Sequence, residues 1–488
     1  MNQPTVAIIG AGFSGICAFV QLKTQLGITA TVFEKNTGIG GTWFKNTYPG
    51  CECDVASHIY SYSFELNPNW SKTFSPQPEI LHYLETTSAK YNMMAHTKLG
   101  TQVIRATWVK DKRQWQLDIQ HGGVTERVYF DLLFSAVGTL QIPNIPSVFH
   151  DFKGPVVHTS NWDSSLDYQG KRVALVGSGA SAIQVLPYLA SKAADLSVFQ
   201  RTAPWVVPKF VSFVPEKVKN AFRQFPFLMT FYRWTLYLLF ELLWVSLGYP
   251  QSFLARYFEH KIWQGNQNTL ERLGRPDLVE KLKPDYIVGC KRGAFSNDYY
   301  QIMTQPHVSI VDVPIKQIQD NTIIAEDGTQ KQVDILVLGT GFKTNHGMLS
   351  GMEIIGKQSQ SLSELWEQEL PELYKSTTIH GFPNFFMLLG PYAYVGHTSV
   401  VLMAETQVNY AIQCIKEIWF KSRWIEPKQQ AQSDYMAKLR SRFTGTSWTH
   451  TCTSWYKNPK GQVINLYPGT ATRFKWQLSR FQADDYEQ

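Results

Sequence analysis

Residues 6–15 read VAIIGAGFSG. The apolar run Val6-Ala7-Ile8-Ile9, the residues Gly10, Gly12 and Gly15 in G-x-G-x-x-G spacing, and apolar periodicity over 16–26 predict a strand, a tight turn and a helix. Each glycine has its own task. Gly10 makes the turn, Gly12 lets backbone N–H groups approach a pyrophosphate, and Gly15 lets the helix pack closely on the strand, with the helix N-terminus facing the anion. One such motif alone is weak. It gains weight from Thr31-Val32-Phe33-Glu34, a second predicted strand that ends in an acid about two dozen residues after Gly10, where a ribose hydroxyl needs an acceptor.

The pattern recurs at 171–182, KRVALVGSGASA, with Gly177, Gly179 and Ser181 in the turn and Ala182 still small enough for close helix packing. Its second strand, 196–202, ends in Arg201 and Thr202 where the first unit has Glu34. A cation and a hydroxyl there suit a 2′-phosphate, which favours NADPH over NADH. Two well-separated turns call for two dinucleotides, so the expected fold is α/β with two Rossmann-like dinucleotide-binding domains. The map places one, discontinuous, at 1–145 and 333–488 and the other at 146–332, the latter with a helical insertion at about 213–275. Residues 101–137 alternate in short runs, as a small antiparallel meander does.

A chain of 488 residues has room for two or three domains, each with its own core. Its net charge of +7 is spread without blocks of Lys or Arg, which argues against nucleic acid and for local anionic phosphates. Six cysteines without paired C-x-x-C spacing predict neither a disulfide framework nor a metal site. The N-terminus runs straight into the first strand with no basic leader, so a reducing, cytoplasmic setting is expected. Within the insertion, 228–247 is mostly apolar and aromatic, interrupted by Arg233 and Glu241. Two charges argue against a spanning helix. A buried or substrate-lining helix is the favoured expectation, and contact with a membrane surface the second.

Other stretches carry a resemblance. Residues 40–54 read GGTWFKNTYPGCECD, and 152–163 read FKGPVVHTSNWD, with Phe152, Gly154, His158, Trp162 and Asp163 in F-x-G-x-x-x-H-x-x-x-W-D spacing. Lys291 and Arg292 precede a Tyr299-Tyr300 pair, Gly339-Thr340-Gly341 closes a predicted strand, and Ser454-Trp455-Tyr456 follows near the end. In order and type these motifs resemble the flavin-dependent Baeyer-Villiger monooxygenases, over 6 to about 469.

The resemblance implies FAD at the first unit, with Gly41, Thr42, Trp43 and Tyr48 against the flavin, and NADPH at the second, with Lys291 on the 2′-phosphate. Loop anchoring remains the other reading of Trp43 and Tyr48. The resemblance further implies that Asp54 pairs with a catalytic Arg292, that Trp455 lies on a loop over the substrate, and that one oxygen atom of O2 is inserted beside the carbonyl of a small apolar ketone through a C4a-peroxyflavin, giving an ester or lactone. Oxidation of sulfur or nitrogen, and NADPH-flavoprotein reduction without oxygenation, are the alternatives. Elementary chemistry assigns His158 no partner, and its place between the two units suggests a hinge or domain-coupling role.

Overall fold

The computed structural model describes residues 3–209, 213–344, 349 and 351–487. The first glycine turn follows the central strand of a parallel five-stranded sheet, ordered Phe385–Met387, Leu132–Ser135, Val6–Ile9, Thr31–Phe33, Thr97–Lys98. Val6–Ile9 and Leu132–Ser135 are buried throughout, as parallel strands covered on both faces must be. The helix Phe13–Leu26 packs on the sheet and stops at Gly27, whose left-handed backbone (φ 67°) turns its N–H back to the Lys23 carbonyl.

A second parallel sheet is ordered Val308–Val311, Asp195–Phe199, Arg172–Val176, Ile335–Leu338, Val156–His158. Each glycine turn therefore lies at the carboxyl end of a strand flanked by neighbours that connect in opposite directions. Open α/β sheets bind ligands at this crevice. The strand Ile335–Leu338, expected with the first unit, instead pairs between Arg172–Val176 and Val156–His158, so the chain leaves the second sheet at Gly339 rather than at 333. A short, wholly buried apolar strand carries nothing local to say which of two sheets it joins. The meander is as expected: Thr101–Val109, Gln114–His121 and Val124–Phe130 are antiparallel, with Glu353–Ile355 added at one edge.

The insertion is helical, over Glu216–Gln224, Pro226–Gly248 and Phe253–Arg272. The expectation that 228–247 is buried does not hold, because only Met229, Arg233, Trp244, Ser246 and Gly248 of the helix Pro226–Gly248 are buried. Arg233 donates to the His58 carbonyl (2.6 Å) and to Ser61 Oγ (3.0 Å), and Glu241 accepts from the backbone N–H groups of Ala471 and Thr472 (3.0 Å each). The two charges that interrupt the apolar run are thus the groups that fasten the helix to the body, and they turn much of its apolar surface outward. Among the described residues no single helix is long and apolar enough to cross a membrane.

Cysteine spacing also failed to foresee one bridge. Cys290 and Cys452 are joined as a disulfide across a sequence separation of 162, with Cα atoms 6.3 Å apart, while Cys17, Cys51, Cys53 and Cys414 are buried free thiols. Spacing rules read local pairs, and this pair is made by the fold.

Candidate functional site

The first glycine turn opens on a cleft with about 1080 Å³ of empty volume, lined by Gly10, Gly12, Glu34, Gly41, Thr42 and Trp43 among others. The backbone approaches itself closely here. A Cβ on Gly15 would lie 1.9 Å from the Gly10 carbonyl oxygen, and one on Gly10 (φ +102°) would lie 2.6 Å from that of Ala136. Gly12 and Gly41 face each other, and side chains on them would fill the space between. Glu34, 4% exposed, accepts from the N–H of Ala11 (2.8 Å) and from the backbone (2.9 Å) and side chain (2.6 Å) of Asn36, which hold its carboxylate at the cleft. N–H groups at a helix start beside a fixed carboxylate fit the pyrophosphate and ribose of FAD. Trp43 lines the same cleft, its indole donating to Tyr60 Oη (3.2 Å).

In the second turn, a Cβ on Gly177 (φ +122°) would lie 2.4 Å from the Gly339 carbonyl oxygen, whereas the space around Gly179 is open. Arg201 is exposed at the end of the second strand. Lys291 sits 4.4 Å above the Tyr286 ring, and its pKa is lowered first by burial and also by the charge of Arg201, against an upward pull from Asp285. Two cations close enough to oppose each other make a ready anion site, which fits a 2′-phosphate. Ser178 Oγ donates to the Thr202 carbonyl (2.8 Å) and holds that corner.

Tyr48 and Ser181, both expected at a cofactor, meet each other. The Tyr48 hydroxyl donates to Gln184 Oε1 (2.7 Å) and accepts from the Ser181 hydroxyl (3.2 Å), and the side-chain amide of Gln184 donates to the Glu52 carbonyl (3.0 Å). The loop that faces one cofactor cleft is thereby tied to the helix that begins the other. An ion pair between Lys209 and Glu52, which sequence reasoning missed, strengthens the same seam.

Arg292 and Asp54 lie beside this seam. The guanidinium donates from Nε to Oδ2 (2.5 Å) and from Nη2 to Oδ1 (2.7 Å), the bidentate geometry in which Arg is strongest. Burial works to lower the arginine pKa, but the Asp54 charge and its hydrogen bonds outweigh it and hold it above its usual value. Tyr456, 2% exposed, is the neighbour that sequence reasoning passed over. Burial pushes its hydroxyl up to about 12 while the Arg292 charge pulls it down. Nothing in the sequence set Tyr456 apart from Trp455, the residue singled out beside it. Trp455 lies against Tyr456 (ring centroids 4.6 Å) and meets Tyr394 edge-on (5.9 Å), and Tyr394 lines the first cleft. The Cys290–Cys452 bridge joins the segment bearing Arg292 to the one bearing Trp455 and Tyr456.

Side chains of the 152–163 stretch are taken up in packing, stacking and hydrogen-bond contacts. Phe152 is buried in the core of the second sheet, and a Cβ on Gly154 would lie 2.8 Å from the Asp334 carbonyl oxygen. His158 Nδ1 accepts from the Ser160 N–H (3.2 Å), which assigns the ring proton to Nε2 for donation to the Gly341 carbonyl (3.1 Å). Burial lowers the His158 pKa, with the Gly341 contact opposing. It bridges the two strands that connect the units. Trp162 stacks on Tyr168 (5.2 Å), and Asp163 accepts from the N–H (2.9 Å) and Oγ (2.6 Å) of Ser165 in a turn.

Known proteins resemble this chain over nearly its whole length. The model of the family described as flavin-binding monooxygenase-like matches residues 3–423. A Baeyer-Villiger monooxygenase of Pseudomonas aeruginosa is 35% identical over 486 residues, covering 99% of this chain and 90% of the relative. One from Streptomyces coelicolor is 34% identical over 488 residues, covering 99% and 92%. Among solved structures, cyclohexanone monooxygenase from Rhodococcus sp. Phi1 bound to NADP+ aligns with a TM-score of 0.85 at 25% identity, covering 99% of this chain and 98% of that one. An oxidised steroid monooxygenase bound to NADP aligns with a TM-score of 0.81 at 27% identity, covering 98% and 97%.

Proposed function

The chain belongs to the flavin-binding monooxygenase-like family, among the Baeyer-Villiger monooxygenases, and from that premise we propose that Arg292, held by Asp54, drives oxygen insertion beside the carbonyl of a small apolar ketone. The enzyme uses FAD and NADPH. Gly10, Gly12, Glu34, Gly41, Thr42 and Trp43 would hold FAD, which would supply hydride acceptance from NADPH and activation of O2.

The observation that carries the reading is the bidentate Arg292–Asp54 pair next to Tyr456 and Trp455. A guanidinium has five N–H donors, and Asp54 engages only Nε and one hydrogen of Nη2, so the remaining donors can serve a reacting oxygen. A unit charge about 4 Å from an oxygen anion is worth on the order of 4 kcal/mol at an effective dielectric of 20, roughly three pKa units in favour of the anion. Arg292 therefore keeps the attacking oxygen deprotonated and stabilises the oxyanion that forms on the ketone. Asp54 aims the guanidinium and moderates its charge. Trp455, Tyr456 and Tyr394 supply an aromatic wall that limits water and suits an apolar substrate.

Arg201, Thr202 and Lys291 hold the NADPH phosphate in this reading. His158 couples the units by locking the two connecting strands. The cytoplasmic placement expected from the sequence has the Cys290–Cys452 disulfide against it, since a reducing compartment disfavours such a bridge.

The test is Arg292→Ala. Flavin bleaching by NADPH should partly survive in stopped flow, while ester or lactone formation over a panel of linear, cyclic and aryl ketones falls on the order of 100- to 1000-fold. Unchanged ester formation would remove Arg292 from the mechanism. Turnover of thioethers or amines with no ketone product would replace the substrate class. His158→Ala should retain FAD but slow reduction or uncouple it from product. A loss confined to the ester-forming step would contradict the coupling role.

A further inference from the structure

Surface helices ordinarily turn charge outward and apolar side chains inward. The helix Pro226–Gly248 does the reverse. Its charged residues, Arg233 and Glu241, bind inward to Ser61 Oγ, the His58 carbonyl and the N–H groups of Ala471 and Thr472. Outward, at three- and four-residue spacing, stand Phe227 (66% exposed), Phe231 (68%), Trp234 (58%), Leu238 (52%), Leu242 (69%) and Val245 (39%). Single exposed apolar residues are ordinary, but a continuous row of this length marks an interaction surface. The row continues past a 92° bend onto the helix Phe253–Arg272, where Phe253 is 80% and Tyr257 47% exposed.

The charges bordering the row are cationic in excess. Lys217 and Arg223 precede it, and Arg256 and Lys261 lie on the second helix, all exposed. Of the acids nearby, exposed Glu216 is paired with Arg223 (2.9 Å) and Lys219 (3.6 Å), exposed Glu271 accepts from Gln267 (3.0 Å) at the far end of the second helix, and Glu259 is half-buried. Among the described residues Arg256 and Lys261 are in no ion pair: they donate to the neutral side chains of Gln251 and Gln264, and Lys261 also lies over the Tyr257 ring (5.9 Å). A two-fold contact with a second copy would set like cationic rims against each other. A bilayer with anionic headgroups would instead neutralise them, and Trp and Tyr rings favour the headgroup boundary. Among the described residues neither helix alone is long and apolar enough to cross, and the 92° bend between them suits entry into one leaflet.

We propose that the hairpin of Pro226–Gly248 and Phe253–Arg272 docks the enzyme onto an anionic membrane surface, its aromatic row entering one leaflet. The hairpin also abuts the catalytic segment: Ser447 Oγ donates to the Leu247 carbonyl (2.5 Å), and a Cβ on Gly289 would lie 2.6 Å from that same oxygen, shortly before Arg292 in the chain. On the reading of an apolar ketone substrate, docking holds the site where such substrates partition.

The experiment floats the full-length, FAD-loaded protein with equimolar phosphatidylcholine and phosphatidylglycerol vesicles in a density gradient, a readout independent of catalysis. Wild type should co-float. The variant Phe231→Glu, Trp234→Glu, Leu238→Glu and Leu242→Glu, all outward positions, should retain flavin absorbance and stay in the lower fraction. Arg256→Gln with Lys261→Gln should weaken binding about 10-fold or more on the anionic vesicles and little on phosphatidylcholine alone. Failure of wild type to float, or equal flotation of the glutamate variant, overturns the proposal. Lipid-free wild type that sediments as a dimer without floating, and becomes monomeric in the glutamate variant, assigns the face to a second copy and overturns it as well.

Discussion

The two dinucleotide units share a strand, a glycine turn and a helix but differ where the backbone is tightest and where the ligand is most charged. In the first, a methyl group on Gly15 would strike the Gly10 carbonyl at 1.9 Å. In the second, the matching residue is Ala182, and its methyl is accommodated because Gly339 opposite has none: a Cβ there would come within 2.8 Å of the Ala182 Cβ. At the end of the second strand, the first unit places Glu34, a buried acceptor suited to neutral hydroxyls, and the second places Arg201 near Lys291, suited to a phosphate. One backbone solution serves both pyrophosphates, and a few side chains decide which dinucleotide each keeps.

The harshest way to break this comparison is Gly15→Ala. It should destabilise the first unit by roughly 3 kcal/mol or more and deplete bound flavin, read by thermal unfolding and by the flavin-to-protein absorbance ratio. Acid probes the first unit next. Burial, assisted by Arg233, pushes His58 down to about 4, and its Nε2 is buried without a hydrogen-bond partner among the described residues. The unfolded imidazole binds its proton near pH 6.5 and the folded one only near pH 4. Stability should therefore fall as pH drops from about 6.5 to about 4, by on the order of 3 kcal/mol. His58→Gln should flatten melting temperature across that window, and an unchanged slope would assign it to other groups.

Charge at the second unit is the following test. Arg201→Ala and Lys291→Ala should each raise KM for NADPH by about 10- to 100-fold with little effect on NADH, since each removes a charge-assisted contact to the 2′-phosphate. An equal rise for both nucleotides would mean these cations hold something common to the two. The mildest change is Ala182→Gly, expected to cost only about 1 kcal/mol, the helix-propensity difference. A loss as large as that of Gly15→Ala would show that the two turns are packed alike after all.

Both glycine turns and Glu34 were legible because strand, turn, helix and ribose acceptor follow one another within a short span of chain, so spacing alone reports the local geometry. The meander and the helical insertion were legible from periodicity for the same reason. Arg292 and Asp54 stood out by resemblance, since 238 positions separate them and no local rule pairs them. The side on which the helix Pro226–Gly248 meets solvent was misread, because an apolar helix looks the same in sequence whether its rare charges point out or in. Tyr48 was legible as a loop aromatic, but its bond to Ser181 depends on how two units meet.

By itself, then, the sequence determined that this chain builds two phosphate-binding turns on parallel sheets, one ending in an acid and one in a cation, since those features depend on neighbouring residues and backbone sterics. Tertiary structure alone decided that Ile335–Leu338 completes the second sheet, that Cys290 reaches Cys452, that Arg292 rests on Asp54 beside Tyr456, and that the insertion shows its apolar row to the outside. Those outcomes turn on which distant surfaces bury one another, and that is settled by the packing of the whole chain.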